Sequence, residues 1–291
     1  MNDTCRLCEK SSKLANSHIL PKSIFNWMKE TSATGYLRSS QKVDVPQQDG
    51  IKTPFLCLEC EKQFSTYEKY FKEKIFLPLH DKKDSVPYNN GLLKFSASLA
   101  WRVLKYTIEQ KNIEHLTKRQ LEKCDSALKA WKDYLFNKKD SPGIFELHLY
   151  NFIGHVSSSG DLPDNIHRYL HRSISFNLYA SNSIAFIYIK LPGFIIIGYI
   201  TLPNDIKEFR ATRIKVVHGM IEPMRYMAPM YIWDLIKQEA LKSAEYQNSI
   251  SKKQQLKIDD KYQNNIQKAS QSKTVQAILK DRLKSENKDK G

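Results

Sequence analysis

The 291-residue sequence holds only ten glycines, and none sits in a P-loop or a dinucleotide-binding fingerprint. That excludes the nucleotide enzymes built on those loops. No internal repeat is present, which excludes solenoids and propellers. Long apolar runs are missing too. The most apolar stretch, residues 183–200 (SIAFIYIKLPGFIIIGYI), is broken by Lys190, Pro192 and Gly193. Neither half approaches the roughly 20 residues a membrane span needs. The chain starts almost directly in a cysteine pair with no apolar segment behind it, so no signal peptide and no membrane are expected. Acids are scarce: 31 Asp and Glu face 46 Lys and Arg, a formal net charge of +15. Such an excess attracts polyanions, nucleic acid foremost, while a solubilising tail that binds nothing is the plainer alternative.

What is present is ordinary in bulk, with 41% hydrophobic and 26% charged residues, enough for one large domain or two modest ones. Three regions are expected. Residues 1–80 hold both cysteine pairs, a short helix marked by Ile24, Trp27 and Met28, and a polar loop at 39–50. The last helix of this region starts in the second pair: Cys60, Phe64, Tyr67, Phe71 and Ile75 form one stripe. Residues 92–237 open with two helices, striped by Leu92, Phe95, Leu99, Val103 and Tyr106, then by Leu121, Cys124, Leu128, Trp131 and Leu135. From about Leu147 the pattern turns to strands: ISFNLYA, IAFIYIK, FIIIGYIT and RIKVVHG. Continuous apolar strands predict an antiparallel meander covered by helices on both faces, with a tight turn at Pro192-Gly193. Residues 238–291 are lysine- and glutamine-rich and read as a weakly packed, partly helical basic tail. The fold class is therefore α+β.

Four of the five cysteines fall in two Cys-x-x-Cys pairs, Cys5/Cys8 and Cys57/Cys60. In a cytoplasmic or nucleoid-associated protein, paired cysteines of this kind hold metal more often than they form disulfides. Two pairs complete a closed tetrahedral Zn2+ site with a structural role. Cys124 lies on a helix stripe and is expected as a small core residue.

Between the pairs stands Ser17-His18-Ile19-Leu20-Pro21. A cysteine knuckle, a His-x-x-Pro run and a helix begun by the second pair resemble the HNH, or His-Me finger, nucleases on a treble-clef zinc frame, over roughly the first 80 residues. The run matches the family's Asp-His-Ile-x-Pro from the histidine onward, and Cys57–Glu61 (CLECE) resembles its second cysteine segment. The resemblance implies His18 as general base and a catalytic Mg2+ or Mn2+ at Glu61; Glu68, from its place on the same helix, and Asn16, through its amide oxygen, are further candidate donors. The departures are Ser17, where the family has Asp or His, and Glu61, where it has His or Asn. On an ideal helix Glu68 points about 20° from Glu61, so two carboxylates can share one site. Other readings stand beside this one. His18 can replace a cysteine as zinc ligand, or be a buried histidine donating to a backbone carbonyl. Glu61 and Glu68 can be surface acids paired with Lys62, Lys69 and Lys72. Lys10, Lys13, Lys22, Arg38 and Lys62 are the phosphate contacts expected near the site, and Tyr36 and Tyr70 lie off the stripes as stacking candidates. The function expected is metal-dependent cleavage of nucleic acid, DNA favoured over RNA, with 92–237 recognising a protein partner or the target. Small basic nucleases of this shape resemble effectors of bacterial anti-phage defence. The alternative is a non-catalytic zinc module that binds nucleic acid or a protein.

Overall fold

A computed structural model describes residues 3–81, 83–111, 113–154, 162–223 and 228–288. The chain begins with a knuckle closed by two short antiparallel strands, β1 (Asp3–Thr4) and β2 (Ser11–Ser12). Strand β3 (Leu14–His18) ends at Pro21, which precedes α1 (Lys22–Glu30). Ile24, Trp27 and Met28 are its buried face, as their spacing predicts. The expected polar loop contains most of a second hairpin, β4 (Leu37–Ser39) with β5 (Lys42–Gln47), because Val43-Asp44-Val45 alternates at the strand period. Strand β6 (Lys52–Cys57) then returns antiparallel to β3, pairing Leu14 with Cys57 and His18 with Lys52. It runs directly into α2 (Leu58–Phe71), which a π-helical turn (Lys72–Phe76) joins to α3 (Leu77–His80). Cys60, Phe64, Phe71 and Ile75 are buried along this helix and Tyr67 is half-buried.

Strand β7 (Val86–Asn89) leads into α4 (Asn90–Glu109), capped by the Asn89 side chain on the Gly91 amide at 2.9 Å. A Thr117/Gln120 capping box starts α5 (Lys118–Leu135). Helix α4 is buried nearly all round, since α2, α5 and the main sheet each claim a side of it. Phe71 of α2 stacks on Phe95 of α4 at 4.0 Å. After α5 come β8 (Leu147–Asn151), α6 (Ile166–Arg172), β9 (Ser175–Ala180), β10 (Ala185–Leu191), β11 (Phe194–Thr201) and β12 (His218–Ile221). The main sheet is antiparallel in the order β8-β11-β10-β9. Pro192-Gly193 makes the predicted turn between β10 and β11, with Gly193 at φ 76, a conformation glycine adopts at no steric cost. RIKVVHG is not a strand of this sheet. Its place beside β11 belongs to β8, and β12 pairs with β7 instead.

At β10 and β11 both faces of the sheet are dry, which explains the unbroken apolar runs there. Ile187, Ile189, Ile196 and Ile200 face α4 and α5, whereas Phe186, Tyr188, Ile195 and Ile197 face α6 and α7 (Met230–Asn248). Gly198 lets α4 and α5 approach: a Cβ there would lie 2.9 Å from Ala100 Cβ. The chain ends in α8 (Lys252–Gln263), α9 (Ile266–Gln271) and α10 (Lys273–Lys288). Helix α8 buries no residue, in keeping with a basic tail. Beyond it the chain is fastened in ways composition does not announce. The buried Asp281 carboxylate accepts from the His167 and Arg168 amides at 2.7 and 3.1 Å, and the Lys273 amide donates to the Thr31 carbonyl at 3.0 Å. Among the described residues no helix is long and apolar enough to cross a membrane.

Candidate metal centre and the adjoining histidine

The knuckle forms because Glu9 takes a left-handed conformation, φ 63, and turns the chain after Cys8. The Cys5 amide donates to the Lys10 carbonyl at 3.0 Å and the Glu9 amide to the Cys5 carbonyl at 2.9 Å. The second pair straddles the junction of β6 and α2 and is brought to the first by the β3–β6 register. One ligand atom from each of Cys5, Cys8, Cys57 and Cys60 lies within 4.8 Å of the others. The Cys8 and Cys57 sulfurs are 3.8 Å apart. A tetrahedron with Zn–S bonds of about 2.3 Å has sulfur–sulfur edges of about 3.8 Å. The donor set therefore fits a structural zinc ion. Burial opposes ionisation of Cys5, but the Cys8, Cys57 and Leu7 amides bring its thiol down to about 7. Burial instead pushes the Cys60 thiol up, reinforced by the neighbouring cysteines. Four thiolates cannot share this space without a cation to balance them. Cys124 is a buried core residue on α5, as expected.

His18 is not among the four-ligand set. The strand pleat turns Ser17 inward, where it is 2% exposed and its Oγ accepts from the Leu56 amide at 3.2 Å. Asn16 and His18 fall on the opposite side of the strand. The His18 imidazole meets Asp49, with Nε2 to Oδ1 at 2.9 Å, and the other Asp49 oxygen takes Lys52 Nζ at 2.5 Å. Because a carboxylate accepts, His18 carries its proton on Nε2 and leaves Nδ1 open. Burial opposes ionisation of Asp49, but hydrogen bonds from Lys52, His18 and the Gly50 amide hold its carboxyl at about 2. Nothing marked Asp49 in the sequence except its place in a Gln-Asp-Gly turn.

The acids of α2 behave differently from one another. Glu68 is paired with Arg102, not with Lys62, Lys69 or Lys72: Arg102 Nη2 lies 2.6 Å from Glu68 Oε1. Its Nη1 donates to the His18 carbonyl at 2.6 Å, so one guanidinium, 1% exposed, ties α4 to both α2 and the end of β3. A lone arginine inside the apolar run ASLAWRVL was the available signal. Glu61 lies two turns before Glu68 and keeps a buried Oε1 with no partner among the described residues. The structure thus places Glu68 beside the His18 backbone but engages its carboxylate, and it gives the His18 ring to Asp49. Lys10, Lys13, Lys22 and Lys62 are exposed. Arg38 is used internally, donating to the Val43 carbonyl at 2.5 Å and lying over the Tyr36 ring. Lys261 Nζ also lies over the Tyr36 ring, 4.5 Å from its centroid, and the Tyr70 hydroxyl accepts from the Asn89 amide at 3.0 Å.

Comparison with known proteins adds no relative: no family model, curated protein or solved structure matches this chain.

Proposed function

We propose that the protein is a metal-dependent endonuclease of HNH-like type, in which His18 is the general base. The carrying observation is the His18–Asp49 pair at the end of β3, on a hairpin whose other end is clamped by the four cysteines. With its proton on Nε2 and aimed at Asp49, the imidazole offers the Nδ1 lone pair to a water molecule. The water oxygen attacks phosphorus, His18 takes the water proton, and the phosphodiester bond to the leaving oxygen breaks. Asp49 orients the ring and stabilises the imidazolium that forms. Asn16 and Glu61 retain open donors for a Mg2+ or Mn2+ ion, which when bound would neutralise charge on the phosphate. Glu68, held by Arg102, is not available on the same terms. Lys10, Lys13, Lys22 and Lys62 supply exposed cations for backbone phosphates.

A specific observation also favours the second reading, a non-catalytic zinc module. Arg102 and Lys52 already neutralise Glu68 and Asp49, two acids near the histidine. One experiment separates them: plasmid and RNA incubated with Mg2+ or Mn2+, comparing wild type with His18→Ala. For the nuclease, cleavage falls by on the order of 10²–10⁴ while zinc content and melting temperature stay near wild type. Absence of cleavage in wild type, or loss of zinc on substitution, assigns His18 a structural role.

A further inference from the structure

The C-terminal helices cross the molecule as a strap. Helix α8 is caught on the hairpin β4–β5, where the Ser251 amide donates to Asp44 at 2.9 Å. The start of α10 is tied to α1 at Thr31, and Lys273 Nζ donates to the His80 carbonyl of α3 at 3.4 Å. Farther along, α10 lies against α6, held by Asp281 on two amides and by Lys284 on the Leu162 and Pro163 carbonyls. Beneath the strap sit three histidines. His167 and His171 stand one turn apart on α6, their rings parallel and 6.1 Å between centroids. His167 Nδ1 and His171 Nε2 are buried and have no partner among the described residues. His80 is buried against the Trp27 and Phe76 rings.

The charged groups around these rings are mostly cations. His171 faces Lys190 of β10, Lys280 of α10, and both other histidines. His80 faces Lys273, Arg172 and Lys190. Lys190 is fully buried and donates to the Leu170 and Leu191 carbonyls at 2.6 and 2.8 Å, so no carboxylate takes these two bonds. Arg172 donates to the Met28 carbonyl and the Thr31 hydroxyl of the α1 end, and Tyr262 of α8 faces it. Helix α7 meets α6 through neutral acceptors, the Gln247 side chain for Arg168 and the Ala240 carbonyl for Asn165. The carboxylate of the seam, Asp281, faces His167 along with Lys280 and Lys284, and it already accepts from two amides and from Arg168 Nε.

We propose that α10 on α6 is an acid-sensitive latch, closed while His80, His167 and His171 are neutral and opened when they take up protons. A proton on His171 adds a charge beside Lys190 and Lys280, in a place where its buried Nε2 finds no acceptor. Asp281 offsets the same change at His167, so His171 leads. Burial lowers all three imidazoles below their ordinary value of 6.5, and the neighbouring cations add to it. The open state therefore binds more protons. The latch is fully closed above about pH 6.5 and weakens as pH falls below it.

The test is hydrogen exchange of the full-length chain at about pH 7.5 and about pH 5, corrected for the intrinsic exchange rate at each. One imidazole kept neutral in the closed state and free in the open one shifts the opening up to about 30-fold at pH 5. Protection of α10 amides should fall about tenfold or more between the two values, while β10 and β11 amides change by less than about threefold. His171→Gln, neutral at both values, should shrink the α10 ratio by about threefold or more. The ratio between the two pH values is the reading, so a variant whose α10 is looser at both still counts. An α10 ratio near one, an equal fall in the sheet, or a ratio unaltered by His171→Gln would overturn the latch.

Discussion

The hairpin β3–β6 and the main sheet are both antiparallel β structure, and they are held by different forces. Strands β10 and β11 are buried on both faces, apart from Thr201 at the end, so apolar packing between two helical layers suffices. In β3 and β6 only Ser17, Phe55, Leu56 and Cys57 are buried. With one side in water the hairpin relies on point fastenings: four thiols at one end, Arg102 and Asp49 at the other. The lesson is that small β units next to a large core can be set by a few polar or metal bonds. Their integrity is correspondingly sensitive to single residues.

The largest break in that comparison should come from the metal. Cys57→Ser should lose zinc in metal analysis and unfold the knuckle and hairpin, because structural zinc contributes on the order of 10 kcal/mol in small sites. Hydrogen exchange should at the same time keep β10 and β11 amides protected. Loss of protection in both would mean that hairpin and sheet unfold as one unit.

Next in size is Arg102→Met, which leaves the Glu68 carboxylate and the His18 carbonyl unpaired. Removing one partner of a buried pair costs roughly 3–5 kcal/mol, read as a drop in urea midpoint. Zinc content should be retained, since the cysteines lie at the far end of the hairpin. A midpoint near wild type would show that α4 does not hold the hairpin.

On the sheet side, Gly198→Val forces a side chain against Ala100 and Trp131. Overpacking of this kind costs about 1–3 kcal/mol. The zinc content should be indifferent to it, the converse of the Cys57 experiment.

The smallest effect is a pH dependence with two windows. Burial holds His80 at about 4, although its Nε2 donates to the Pro192 carbonyl at 3.1 Å. Between the ordinary imidazole value of about 6.5 and that figure, the unfolded chain binds more protons, so stability declines as pH falls through this window. His80→Gln should reduce the slope there without abolishing it, because burial also lowers His148, His167 and His171. Asp49, held at about 2, contributes stability fully present above the ordinary carboxylate value and lost as pH falls from about 4 toward 2. Asp49→Asn should flatten this second window, and a slope there equal to wild type would refute the assignment.

Much of the α+β architecture was legible in residue order. Two Cys-x-x-Cys pairs state their chemistry locally, because a thiolate pair chelates within one turn. The strands from Phe176 to Thr201 and the stripes on α2, α4 and α5 are periodic signals, and period reports burial directly. Pro192-Gly193 names its own turn. Burial, however, does not name the partner. RIKVVHG has strand composition, yet β8 takes the place beside β11, a choice made by packing across the sheet. Likewise His18 and Asp49 are 31 positions apart, and Arg102 reaches Glu68 across 34. Such pairs depend on strand register and on helix placement, which no local pattern encodes. Composition suggested a loose tail, and only the folded chain seats Asp281 on the start of α6, where two backbone amides needed an acceptor. The residues themselves marked the four cysteines placed to hold a metal and the apolar strands; tertiary contact alone decided that Asp49 meets the His18 ring and that Arg102 engages Glu68, because both pairs join elements far apart in sequence.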